Sequence, residues 1–88
     1  MAETDTAAIL DSVIGVVAAA LRIKPETISA DSHLEKDLGA DSLDAINIVE
    51  KLEDQYGIEI PNEETQNFMT IRAIVQGLER LMAEQGKA

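Results

Sequence analysis

Apolar side chains recur every three or four residues in separate stretches of this chain, which is the spacing of amphipathic helices. The first helix is predicted over about Thr6 to Leu21. Pro25 forbids its continuation and pushes Lys24 toward an extended backbone. The residues expected on its buried face are Ile9, Val13, Val16, Val17 and Ala20.

A second helix is predicted to start at Asp41 or Ser42. Asp41 can cap it by accepting amide hydrogen bonds, and Asp44 adds negative charge near the positive end of the helix dipole. Gly57 suits the left-handed residue that ends a helix. The predicted apolar face consists of Ala45, Ile48, Val49, Leu52 and Tyr56.

Asn62 is predicted to cap a short third helix that runs through Glu63 and Glu64 to Asn67. Thr70 is then predicted to cap a last helix, and Gly86 to Ala88 should fray. The buried stripe of that last helix is predicted as Ile71, Ile74, Val75, Leu78 and Leu81.

The connections between these helices carry information of their own. The segment from Arg22 to Ala40 is long for a loop, so we expect Ile28 and Leu34 to pin it to the core. Ile58 to Pro61 is too short and too near a proline to predict a strand. The predicted fold class is therefore all-α: a small four-helix bundle, with three main helices, one short helix and a long first loop.

Composition narrows the class of protein. A length of 88 residues predicts one domain over 1–88, with about 6–85 ordered, and a 45% hydrophobic content in periodic order argues against disorder. The net charge of −10 would repel nucleic acid and anionic membranes and would steer basic partners toward the chain. The start, MAETDTAAIL, does not resemble a signal peptide, and no apolar run would span a bilayer. We expect a cytoplasmic monomer.

The chain has no cysteine, so it can form neither a disulfide nor a thiolate metal site, and it has no thiol of its own for a thioester. Asp37, Asp41 and Asp44 invite comparison with a calcium loop. Gly39 falls too early for that pattern, however, and its closing residue is wrong. We predict no metal site beyond weak surface binding of divalent cations.

Ser42 is the candidate site of chemistry. Serine is common at helix starts for structural reasons alone, but here Asp41 can cap the helix and leave the Ser42 hydroxyl free. Gly39 permits a tight approach to the helix. His33 is the only histidine, and a catalytic pair with Ser42 would also need an oxyanion hole. No glycine-rich elbow surrounds Ser42, so the sequence does not favour a catalytic serine.

The segment D-L-G-A-D-S-L around Ser42, with E-I-P-x-E-E downstream, resembles acyl carrier proteins over nearly the whole chain. The resemblance implies a non-enzymatic carrier. A phosphopantetheinyl transferase would attach 4'-phosphopantetheine from coenzyme A to Ser42, and the terminal thiol would carry acyl groups as thioesters. The loaded protein would serve acyl-transferring and acyl-modifying enzymes of fatty-acid, lipid or polyketide biosynthesis.

The resemblance also implies a partner-binding surface on the second helix, with basic docking patches on the enzymes it meets. Leu43 and Ile46 should point away from the buried face, and exposed aliphatics among acids favour recognition over a merely solvated face. The predicted partner-binding residues are Asp41, Leu43, Asp44, Ile46, Asn47, Glu50, Glu53 and Asp54. A crevice between helices would shelter the acyl chain, lined by Val49, Leu52, Ile60, Phe68 and Ile74, although the same residues also suit an ordinary core.

Two positions depart from the family pattern. Fatty-acid carriers commonly have a hydrophobic residue where Glu50 stands and an acid where Asn47 stands, so this chain resembles a specialised carrier. Peptide-synthetase carriers often have a second glycine where Ala40 stands, so Ala40 and Asp41 fit acyl carriers better. The alternatives are a peptidyl or aminoacyl carrier, and an unmodified acidic interaction module.

Overall fold

The computed structural model describes residues 6–86. They contain four α-helices: α1 (Thr6–Leu21), α2 (Ser42–Tyr56), α3 (Asn62–Thr65) and α4 (Ile71–Glu84). No strand forms among these residues, so the predicted all-α fold of three main helices and one short helix is confirmed. The first five residues, half of the segment that does not resemble a signal peptide, lie outside the described part. So do the last two residues of the predicted frayed end.

α1 is the central helix, because it packs against both α2 and α4. Its bounds agree with the prediction. Lys24 adopts an extended backbone, with ψ of 134°, ahead of the short 3₁₀ turn Pro25–Thr27, as proline requires of the residue before it. The buried side chains are Ile9, Val13, Val17 and Ala18, with Val16 and Ala20 packed partly against the same core.

The long first loop is fastened to the start of α4. The Leu34 N–H donates to the Met69 carbonyl at 2.8 Å, and the Ile71 N–H donates to the Ser32 carbonyl at 3.1 Å. Ile28 and Leu34 are buried, which confirms that they pin the loop to the core. The loop therefore satisfies an N–H group at the first turn of α4 that the helix itself leaves unpaired.

α2 begins with a capping box. The Asp44 N–H donates to Asp41 Oδ1 at 2.9 Å, and the Asp41 N–H donates to Asp44 Oδ2 at 3.1 Å. Gly57 ends the helix in the left-handed region, at φ 64° and ψ 38°. Ile48 and Leu52 are buried, and Ala45, Val49 and Tyr56 are half-buried.

α3 corrects the prediction for its cap. Pro61 occupies the N-cap position, with no side-chain hydrogen bond, and Asn62 is already the first helical residue. Because Asn62 has entered the helix, its side chain cannot reach back over the first turn as a cap would. The helix also ends at Thr65, before the predicted Asn67.

α4 closes the bundle with the strongest apolar stripe. Thr70 caps it as predicted, since the Ala73 N–H donates to Thr70 Oγ1 at 3.1 Å. All five predicted core positions are buried, and Gly77 and Met82 join them: the full set is Ile71, Ile74, Val75, Gly77, Leu78, Leu81 and Met82.

Candidate functional site

Ser42 is exposed at the first residue of α2. The Asp41 carboxylate does the capping, so the hydroxyl of Ser42 is not needed for it. Within residues 6–86 that hydroxyl makes no hydrogen bond. The side chain is a primary alcohol that an external enzyme can reach.

The loop that leads into Ser42 is held in one conformation by backbone bonds. The Ala40 N–H donates to the Leu34 carbonyl at 2.9 Å, and the Gly39 N–H donates to the Glu35 carbonyl at 3.1 Å. Gly39 has φ of 75°, a left-handed conformation that side chains other than glycine rarely adopt. Ser42 therefore projects from a rigid turn.

His33 organises this turn. Its Nδ1 accepts hydrogen bonds from the backbone N–H groups of Glu35, at 3.2 Å, and Lys36, at 3.1 Å. Its own N–H donates to Asp37 Oδ2 at 2.7 Å. Among the described residues no bond joins His33 to Ser42, so the geometry offers no Ser–His pair.

One stripe of α2 faces solvent beside Ser42. Leu43 is 70% exposed and Ile46 is 52% exposed, so two aliphatic side chains one helical turn apart present apolar surface on the same face. Asn47 and Glu50 are also exposed and follow at helical spacing along the same face. The predicted outward orientation of Leu43 and Ile46 is thus confirmed, and their role in partner binding stays a prediction.

The predicted acidic residues fall into two groups. Asp41 and Asp44 bind each other's backbone in the capping box, and Glu53 Oε2 accepts the Ile60 N–H at 2.8 Å. Glu50 and Asp54 are exposed and have no side-chain partner within residues 6–86. Only the second group is free to change without disturbing the fold.

Val49 and Ile60, two of the five predicted acyl-pocket residues, line a crevice of about 260 Å³ between α2 and α3, here called the α2–α3 crevice. Leu52 and Ile74 have no exposed surface and lie in the core. Phe68 is buried elsewhere, at a crevice that opens beside Ser42. The predicted set is therefore split between the α2–α3 crevice, the core and the side nearer Ser42.

Sequence reasoning missed this Ser42 crevice, a cavity of about 430 Å³. Its lining includes His33, Lys36, Ala45, Phe68 and Met69, together with Ser42 itself. Two signals were visible in the sequence: Lys36 is the only lysine or arginine between Lys24 and Lys51, and the apolar Met69 directly precedes the helix cap.

Metal sites and membrane-spanning helices are two other features that the described residues could contain. No cluster of three or more metal-ligating side chains occurs in residues 6–86. No helix among those residues has the length and hydrophobicity needed to cross a membrane.

Comparison with known proteins agrees with this geometry. Residues 11–78 match the family model for a phosphopantetheine attachment site, which defines the class of protein. An acyl carrier protein from Campylobacter hominis is 38% identical over 73 residues, which is 83% of this chain and 92% of that protein. An acyl carrier protein from Wolinella succinogenes is 40% identical over 72 residues, which is 82% of this chain and 95% of that one. Acyl carrier protein 3 from Ralstonia nicotianae is 37% identical over 78 residues, which is 89% of this chain and 90% of its own length.

The chain belongs to the acyl carrier protein family. It is accordingly a carrier and not a catalyst, and its cofactor is covalently attached 4'-phosphopantetheine. Proteins of this family interact with a phosphopantetheinyl transferase and with biosynthetic enzymes.

Proposed function

We propose that the chain carries acyl groups as thioesters on a 4'-phosphopantetheine arm attached to Ser42. The observation that carries this proposal is the free, exposed hydroxyl of Ser42 next to a carboxylate that already caps the helix. The modification then costs the fold no hydrogen bond. When bound, the arm supplies the thiol that a chain without cysteine lacks.

The reaction at Ser42 is formation of a phosphodiester. Ser42 Oγ bonds to the phosphorus next to pantetheine in the diphosphate of coenzyme A, and the bond from that phosphorus to the bridging oxygen breaks. Adenosine 3',5'-bisphosphate leaves, and the transferase removes the hydroxyl proton. The start of α2 presents its unpaired N–H groups and positive dipole end near this phosphate. Asp41 and Asp44 oppose that attraction, which is why we assign the local acids to capping and to recognition of basic partners.

An apolar cargo enters through the α2–α3 crevice. Val49 and Ile60 line it, and Leu52 and Ile74 belong to the buried core. Because the crevice is about 260 Å³, an acyl chain of larger volume has to displace core side chains. The proposed acyl pocket is thus a crevice that widens on loading, and Phe68, which lines the Ser42 crevice, lies outside it.

The docking surface is the exposed stripe of α2. Leu43 and Ile46 supply apolar contacts, while Asn47, Glu50 and Asp54 form its polar part. The net charge of −10 steers partners that have basic patches toward it. The same charge favours a monomer, because like-charged copies repel each other, and we propose that this monomer acts in the cytoplasm.

Intact mass tests the proposal. Co-expression with a phosphopantetheinyl transferase should add the mass of one phosphopantetheine, and Ser42→Ala should abolish the gain. Tryptic mapping should place the group on Ser42. Ser12 accepts a hydrogen bond from Gln55, and Ser32 is buried, so both are poor acceptors. An unchanged mass, or a group found on Ser12, Ser29 or Ser32, contradicts the proposal.

The cargo can be identified on protein isolated from its own host. An acyl thioester on the arm supports the proposed biosynthetic role. An amino acid on the thiol would instead identify an aminoacyl carrier, and protein that carries no arm at all in its host would identify an unmodified interaction module.

A further inference from the structure

Backbone contacts hold the two walls of the Ser42 crevice together. One wall is the turn that holds His33 and Lys36, and the other is the segment of Phe68 and Met69. The Leu34 N–H donates to the Met69 carbonyl at 2.8 Å and ties the two walls together. A second tie is the antiparallel bridge between His33 and Thr70. The cavity of about 430 Å³ is therefore a fixed feature of the fold.

The lining combines apolar surface with donors for an anion. The Phe68 ring and Met69, which is 59% exposed, supply the apolar part. Lys36 lines the same cavity and forms no ion pair within residues 6–86. Because His33 Nδ1 accepts two N–H groups, the neutral imidazole keeps its hydrogen on Nε2, which is then the nitrogen able to donate.

Two carboxylates, Glu35 and Asp41, also line the Ser42 crevice. Asp41 is occupied by its capping bond to the Asp44 N–H. Lys36 offsets the charge of Glu35, so the crevice is not closed to an anion that is already tethered at Ser42.

The α2–α3 crevice is the competing location for a group attached at Ser42. It shares Ala45 with the Ser42 crevice but does not include Ser42. It is lined by the carboxylates of Glu50 and Glu53 and by no lysine, arginine or histidine. A singly charged phosphodiester meets only carboxylates among the charged groups on that side of α2, whereas in the Ser42 crevice Lys36 offsets one of two carboxylates and can pair with the phosphate. The repulsion is therefore weaker in the Ser42 crevice.

We propose that the unloaded phosphopantetheine arm rests in the Ser42 crevice, with its phosphate beside Lys36 and its apolar dimethyl portion against Met69. This inference rests on the proposed attachment at Ser42. The two crevices then have different roles, because the Ser42 crevice holds the arm with its free thiol and the α2–α3 crevice receives apolar cargo.

Methionine methyl groups offer a direct test. The chain has 3 methionines, so labelling with carbon-13 methyl methionine gives three resolvable signals. On conversion of the unmodified protein to the phosphopantetheine form, the Met69 methyl signal should shift and show a nuclear Overhauser contact to the dimethyl protons of the arm. Met82 is 5% exposed, is buried in the core, and serves as the internal control that should not move.

Substitution of the lysine tests the charge. Lys36→Gln should weaken the nuclear Overhauser signal between the arm and the Met69 methyl group by about twofold or more. That factor corresponds to the energy of an exposed charge pair. Lys51→Gln is the matched control, because Lys51 lies on a groove between α1 and α2 away from Ser42, and it should leave the contact unchanged.

The outcomes separate the two proposals. Absence of any mass gain overturns both. A gain of one phosphopantetheine with dimethyl contacts to Val49 or Ile60, or with no contact to the protein, overturns only the resting place. A gain with contacts to Met69 that weaken in Lys36→Gln and persist in Lys51→Gln supports it.

Discussion

At the scale of single residues, close packing requires glycine at position 77, although glycine is unfavourable within a helix. Glycine in a helix interior is less favourable than alanine by about 1 kcal/mol. A Cβ at Gly77 would lie 2.6 Å from Cε1 of the buried Phe68 ring, however. Because Gly77 has no side chain, the Phe68 ring can pack against α4 and border the Ser42 crevice.

We predict that Gly77→Ala lowers the free energy of unfolding by about 1–3 kcal/mol, the usual cost of overpacking, despite the gain in propensity. Urea unfolding measures it. Gly15→Ala is the matched control: Gly15 lies within α1 with nothing within 4 Å of a new Cβ, so alanine there should stabilise by about 0.5–1 kcal/mol. Adding Phe68→Leu to Gly77→Ala should recover part of the loss. Equal effects at the two glycines would contradict overpacking as the cause.

At the scale of elements, the short helix α3 depends on its neighbour. It has only four residues, too few for a stable helix in isolation. Glu64 on α3 forms an ion pair with Arg80 on α4. The hydrogen bond from Arg80 lowers the pKa of the Glu64 carboxyl, and the same bond raises the pKa of Arg80. The pair fastens α3 to the bundle.

Because the pKa of Glu64 is lower in the folded state, its contribution to stability is present above the pKa of unfolded glutamate. It is lost as the pH falls through the folded value. We predict that Glu64→Gln unfolds at a lower temperature than wild type at neutral pH. The difference should shrink as the pH falls below the ordinary pKa of glutamate and disappear once the pH is below the lowered pKa of the folded state. Glu63→Gln, at an exposed carboxylate without an ion pair in residues 6–86, should match wild type throughout. A difference that persists in acid would rule out the ion pair as its cause.

The elements also show which parts of the structure a sequence can predict. Local chemistry sets the limits of α1 and α2. Pro25 prevents α1 from continuing, and the Asp41 cap and Gly57 bound α2 at its two ends. The predicted cap of α3 was wrong. Asparagine is a preferred N-cap residue, so the sequence favoured Asn62, but Pro61 occupies the N-cap position.

The remaining features depend on contacts between distant segments. Glu53 has the sequence pattern of a surface acid along α2, and only the chain reversal at Gly57 brings the Ile60 N–H to its carboxylate. The Ser42 crevice likewise needs the segments that hold Lys36 and Met69 to line one cavity, which no periodic pattern predicts. The position of Ser42 at the exposed start of α2 was predictable, because the Asp41 cap is local, and its modification stays a prediction.

At the scale of the whole molecule, the charge of −10 predicts that association with partners is electrostatically steered. The rate of association with the transferase should fall several-fold between about 50 mM and 500 mM salt, as screening shortens the range of the field. Asp54→Lys should slow association without changing the unfolding midpoint, since Asp54 has no partner in the described chain.

Glu53→Lys is the informative contrast to Asp54→Lys. It should slow association and also destabilise the protein, because it removes the acceptor of the Ile60 N–H. Stopped-flow association and thermal unfolding together distinguish the two variants. A rate that does not respond to salt would contradict electrostatic docking.

The identity of the partners turns on Glu50. It is exposed at the rim of the α2–α3 crevice and continues the stripe of Leu43, Ile46 and Asn47. The family resemblance implies a hydrophobic residue at this position in fatty-acid carriers, so we expect an enzyme evolved for them to present an apolar pocket. Burying even a neutral polar group there without a partner costs about 1–3 kcal/mol, and a charge costs more.

Since each 1.4 kcal/mol is about a tenfold change in affinity, we predict poor turnover of the loaded protein by a fatty-acid ketosynthase and at least tenfold improvement in Glu50→Met. Glu50→Gln separates charge from shape: if desolvation of the carboxylate is the barrier, glutamine recovers part of the rate and methionine recovers more. The competing outcome has its own physical basis, because the flexible glutamate stem can turn its carboxylate toward solvent at the crevice rim. Equal rates for wild type, Glu50→Gln and Glu50→Met would mean that it does so, and Glu50 would then not distinguish this carrier from a general acyl carrier.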